Sequence, residues 1–112
     1  MRNLKEEIQS VVDIYKSGNL SRAEIISKKL LEENPKIVFL YNLLGLILSE
    51  QRKINEAISC YSKGIKVDPN YAMNYNNLGI LLFYNHRFVV ILNLCFEPGF
   101  VFNALELGID TV

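Results

Sequence analysis

The 112-residue sequence predicts an all-α chain, a right-handed α-solenoid of antiparallel helix pairs. Three observations carry this reading. Residue classes return at an offset of 34 positions: Tyr41, Leu44, Gly45 and Leu48 come back as Tyr75, Leu78, Gly79 and Leu82. Backward, Ala57 maps onto Ala23, Ile54 onto Leu20 and Pro69 onto Pro35. Within each unit, apolar residues recur at helical spacing rather than in strict alternation. Short polar segments separate the apolar runs, and short connections make consecutive helices antiparallel neighbours.

Taken in order, Leu4–Lys16 reads as a first helix with Leu4, Ile8, Val11, Val12 and Tyr15 on its apolar face. Ser17-Gly18-Asn19 is a turn. Ser21 is the expected cap of the second helix, with Glu24 three residues on as a capping box. That helix runs to Glu33 and buries Ala23, Ile26 and Leu30, leaving Lys28, Lys29, Glu32 and Glu33 to water. Asn34-Pro35 reads as the start of a third helix, an Asn cap followed by Pro at the first helical position. It extends to Glu50 through Phe39, Leu40, Leu43, Leu44, Ile47 and Leu48. Gly45 in its middle costs about 1 kcal/mol against Ala. Its recurrence as Gly79 implies a close approach of the neighbouring helix, with Ala57 as the matching small residue. After the turn Gln51-Arg52-Lys53, a fourth helix over Ile54–Val67 buries Ile54, Ala57, Ile58, Tyr61 and Ile65. Asp68-Pro69-Asn70 stops it, because Pro cannot continue the hydrogen-bond ladder. A fifth helix starts near Asn70 and reaches Tyr84.

The unit 38–71 resembles the tetratricopeptide repeat, whose pattern is W-x2-L-G-x2-Y followed by Ala, an aromatic residue and Pro on a 34-residue period. Tyr41 stands for the Trp, Leu44-Gly45 match, Leu48 replaces the Tyr, and Ala57, Tyr61 and Pro69 match. The resemblance implies a degenerate first repeat over 4–37, which keeps Gly18, Ala23 and Pro35 but has Ser10-Val11 where Leu-Gly is expected. It implies a second repeat over 38–71, and the first helix and turn of a third over 72–87. Residues 88–112 diverge. Ile91 stands where the repeat wants Ala, Cys95 where it wants an aromatic, and Pro98-Gly99 interrupts. This segment has no Lys or Arg, and its charges are Glu97, Glu106 and Asp110. Three readings of it stay open: a hydrophobic cap or self-association surface, a piece of a longer repeat protein, or membrane contact. Glu97, Pro98 and Gly99 argue against a membrane span.

Composition narrows the function. Twelve basic and twelve acidic residues balance, so no overall field draws the chain to nucleic acid or an anionic membrane. Cys60 and Cys95 have no metal-ligand spacing and read as reduced thiols packed as small hydrophobes, which predicts a cytoplasmic protein. The charged start MRNLKEEIQS has no apolar run of a secretion signal. Asn19-Leu20-Ser21 matches a glycosylation sequon but reads as a turn and cap. The single histidine, His86, has no neighbouring Cys or acid, and no phosphate loop or metal motif occurs. The expectation is a non-enzyme without cofactor or metal.

What the resemblance implies is a surface. In such arrays the first helix of each pair lines the concave side. By helical phase the groove candidates are Phe39, Asn42 and Leu46 on the third helix, and Met73, Asn76, Asn77, Ile80 and Tyr84 on the fifth. Leu43, Ser49, Glu50 and Phe83 share those faces, as do Lys5, Ile8, Gln9, Val12, Tyr15 and Lys16 on the first helix. The asparagines would grip the backbone of a peptide, and Phe39, Tyr15 and Tyr84 would supply aromatic contacts. Some family members hold a partner's C-terminal carboxylate with Lys and Asn. Here the matching positions are Ile8, Val12, Leu43, Met73 and Asn77, with no base among them. The expected partner is therefore an extended, weakly charged protein segment. The alternative is the repeat region of a larger glycosyltransferase, sulfotransferase or methyltransferase that recruits its protein substrate.

Overall fold

The computed structural model describes residues 3–85, and the expectations for His86, Cys95 and the 88–112 segment lie outside those residues. The described chain forms five α-helices and no strand: α1 Leu4–Lys16, α2 Leu20–Glu33, α3 Val38–Glu50, α4 Ile54–Val67 and α5 Ala72–Tyr84. Neighbours pack in sequence as antiparallel pairs, and α3 also touches α1 and α5. The result is the expected α-solenoid.

Helix ends follow from local chemistry. Asn3 caps α1, its Oδ1 accepting from the Glu6 N–H at 2.8 Å. The expected cap at Ser21 is corrected. The cap of α2 is Asn19, whose side chain accepts from the Arg22 N–H, and Ser21 lies exposed within the helix. Asn34-Pro35 is corrected as well. Asn34 closes α2 instead of opening α3: its N–H and its side-chain amide both reach the Leu30 carbonyl. Pro35 then sits in the connecting turn, where its carbonyl accepts from the Tyr41 hydroxyl at 2.7 Å. Helix α3 begins at Val38, and α5 at Ala72 rather than Asn70.

The three-residue turns need one left-handed backbone position each. Gly18 supplies it between α1 and α2 at φ +91°, and Arg52 supplies it between α3 and α4 at φ +65°. Gly takes that conformation without steric cost, and Arg does not.

Helix α3 is the centre of the core. Its Leu40, Leu43 and Ile47 pack with Val11, Ala23 and Leu30 of the first pair. Its Leu44 and Leu48 pack with Ala57, Cys60, Tyr61, Leu78, Leu81 and Leu82 on the other side. Each Leu, Ile or Val among them fully removed from water contributes about 1.5–3 kcal/mol. Gly45 does mark a close approach, but the partner is Tyr61 rather than Ala57: a Cβ there would run into Cε1 of the ring. Gly64 plays the same part at the junction of α3, α4 and α5, where a Cβ would meet Asn74 at 2.6 Å and Tyr41 at 2.8 Å.

A polar clasp joins the first pair to the second. The Glu24 carboxylate, almost buried, accepts from Lys28 at 2.6 Å, Gln51 at 2.7 Å and Lys53 at 2.9 Å. Those donors hold it well below the usual carboxylate range, at about 2, against the opposing effect of burial. Lys28 also approaches Glu56 at 4.0 Å.

Candidate binding groove

The arrangement of rows decides which surface can receive a ligand. Helices α1, α3 and α5 touch side by side and form the inner row. Helices α2 and α4 sit in the outer row and leave a cleft of about 440 Å³ between them, with Lys28 and Leu31 on one wall and Ser59, Cys60 and Lys63 on the other. The inner row is in contact while the outer row leaves a cleft, the kind of packing from which helical solenoids curve.

The inner face has an apolar character. Phe39, Met73, Ile80 and Tyr84 are 36, 50, 49 and 75% exposed, and Leu46 is partly exposed beside them. Between α1 and α3 lies a cavity of about 350 Å³ formed by Leu4, Ile8, Val12 and Phe39, with Lys5 and Gln9 at its rim. A second cavity of about 520 Å³ lies against α5, with Asn76, Gly79 and Ile80 in its wall. Phe83 and Tyr84 meet edge to face there, with ring centroids 5.5 Å apart.

The polar candidates fare differently. Asn42 is only 3% exposed and so does not line the open groove. Its Oδ1 accepts from the Asn77 side-chain amide at 2.6 Å, a bond that joins α3 to α5. The reason is geometric. Helical phase puts position 42 between the groove and the next inner helix, and α5 closes over it. Leu43 is buried for the corresponding reason on the α1 side. Tyr15 donates its hydroxyl to Glu50 at 2.7 Å, and burial with this carboxylate pushes the phenol up to about 12. Gln9 donates to Asp13 at 3.0 Å. Asn76 remains exposed on α5.

Three features escape a reading of the sequence. Leu4 joins the apolar cavity, which its spacing from Ile8 signals. Asn74 is fully buried between α4 and α5, and neither its amide oxygen nor its nitrogen has a partner. Its counterpart 34 residues earlier is Leu40, so the class mismatch was visible. Cys60 donates its thiol to the Tyr41 carbonyl at 3.2 Å, and burial pushes that thiol up to about 12, so it stays protonated.

Among the described residues no group of acids, cysteines or histidine is placed to hold a metal ion, and no helix is long and apolar enough to cross a membrane. No curated protein matches the chain. The family model of the tetratricopeptide repeat matches residues 38–71. That segment is the α3–α4 pair, closed by Tyr61 lying over Gly45 and flanked by helices in the same arrangement. Repeats of this kind carry interaction surfaces rather than reaction centres. Residues 38–71 match the tetratricopeptide repeat in sequence, and the α3–α4 pair they form has that repeat's helix-turn-helix arrangement.

Proposed function

We propose that the chain is a binding adaptor that takes a peptide segment of another protein in the concave groove of its inner helices. The observation that supports this reading most is the run of exposed apolar side chains on one face: Phe39, Leu46, Met73 and Ile80. Exposed apolar surface of this kind, gathered in a concavity, is the usual mark of an interaction site. Phe39 beside the Ile8–Val12 cavity is the anchor point, and α5 supplies the far wall. The chain acts as a scaffold in the cytoplasm and brings no chemistry of its own.

The test is selection of 14-residue peptides from a random library on the full chain, followed by affinity measurements on variants. Phe39→Ser and Ile80→Ser weaken the selected peptides at least tenfold. Ile25→Ser, which alters an equally apolar but outer-row side chain that is 69% exposed, changes nothing. Equal effects at Ile25 and Ile80 refute the groove.

A further inference from the structure

We infer that α5 is a detachable wall of the groove: it undocks from α4 as a unit, turning about the Asp68–Tyr71 connection, while the other four helices stay packed. The undocking is argued from the α4–α5 junction alone, and its consequence for binding rests on the groove reading above. The 34-residue period lets two junctions be compared position by position. Where α2 meets α3, Leu30 and Leu40 are both buried and belong to one apolar cluster. The same positions where α4 meets α5 are Gly64 and Asn74. Gly64 leaves the room and Asn74 fills it: a Cβ on Gly64 would stand 2.6 Å from the Asn74 Nδ2. Asn74 is fully buried, and neither its Oδ1 nor its Nδ2 has a partner among the described residues. Such an amide opposes docking, because it recovers its hydrogen bonds from water when the helix leaves.

The rest of α5 is held lightly. Besides Asn74 it buries Leu78, Leu81 and Leu82, whereas α3 buries Leu40, Leu43, Leu44, Ile47 and Leu48. Gly45 on α3 lies under Tyr61, but no described atom lies within 4 Å of a Cβ built on Gly79, its counterpart. Met73, Ile80, Phe83 and Tyr84 are exposed, so little of their apolar surface resists undocking. The Asn77–Asn42 bond joins two neutral amides, which water replaces at small net cost. The connection keeps its own turn when α5 leaves, since the Asp68 carboxylate accepts locally from the Asn70 N–H at 3.0 Å. Folded chains open first where buried apolar contacts are fewest. With α5 away, the groove loses Met73 and Ile80 and keeps only the cavity between α1 and α3.

The test is native-state hydrogen exchange of the isotope-labelled full chain, read by NMR without peptide over a series of urea concentrations below the unfolding transition. The amides of Leu78, Leu81 and Leu82 exchange together, about a hundredfold faster than the slowest amides of α3, and with a weaker dependence on urea, as a partial opening requires. Amides of α1 exchange more slowly than those of α5, because α1 is held by apolar side chains and the Tyr15–Glu50 bond. Asn74→Leu slows the α5 amides about tenfold. The inference is overturned if α5 and α3 share one opening free energy and urea dependence. It is also overturned if α1 opens as readily as α5, which is fraying at both ends of the row, or if Asn74→Leu leaves the α5 rates where they were. No peptide is present, so these rates do not depend on whether the groove binds one; the peptide selection above tests that separately.

Discussion

Replacing Gly45 and Gly79 by Ala, one at a time, should move stability in opposite directions. Both lie mid-helix at the same place in the 34-residue unit. In each, Ala gains about 0.8–1 kcal/mol of helix propensity. At Gly45 the new methyl would stand 2.7 Å from two carbons of the Tyr61 ring. That ring is buried and cannot swing away. Overpacking of this kind costs about 1–3 kcal/mol, and more where the neighbour is held. The net for Gly45→Ala is a loss of about 0–2 kcal/mol, after subtracting the propensity gain. At Gly79 no described atom lies within 4 Å of the built Cβ, so among the described residues nothing offsets the gain of about 0.8–1 kcal/mol in Gly79→Ala. Urea denaturation followed by helical circular dichroism reads both. In thermal melts a kcal/mol is about 4–8 °C for a domain of this size. Stabilisation by Gly45→Ala would refute the claim that the Tyr61-on-Gly45 contact sets the distance between α3 and α4.

Further outcomes follow from other positions. Arg52→Gly relieves the left-handed backbone at φ +65° and raises the urea midpoint, by about 0.5–1 kcal/mol, as Gly18 already does at the matching turn. Asn74→Leu replaces an amide with two unpaired buried atoms by the residue type its counterpart Leu40 carries, and stabilises by about 1–2 kcal/mol in the same assay. The Glu24 clasp gives a pH signature. Because the folded carboxyl titrates at about 2, below its ordinary 4.5, its contribution is whole above the upper value and fades as pH falls toward the lower one. Lys28 and Lys53 are roughly half exposed, so screening reduces it to about 1–2 kcal/mol. Glu24→Gln therefore separates from the parent in urea melts at pH 6, and the gap narrows by pH 2.5.

The sequence revealed helices better than their joints. Leu4–Lys16 and Ile54–Val67 were readable to the residue, because the apolar phase and the polar turns agree there. Asn34-Pro35 misled because an Asn-Pro pair fits the start of a helix and the stop of one equally well. Its equivalence with Asp68-Pro69, already read as a stop, was the clue that separates the two. Arg52 hid its left-handed backbone, since only its alignment with Gly18 reveals it. Of the side chains that phase named for the groove, Phe39, Leu46, Met73, Asn76, Ile80 and Tyr84 are exposed or half-exposed. Phase within one helix could not tell that α5 would cover Asn42, because burial between helices depends on how they stack.

The most direct measurement is chemical-shift mapping of the isotope-labelled full chain as a selected peptide is added. The account predicts that signals of Ile8, Val12, Leu46, Met73 and Ile80 move together while those of Ile25 and Val67 on the outer surface stay in place. Movement confined to Leu31, Ser59 and Lys63, around the outer cleft, would contradict it.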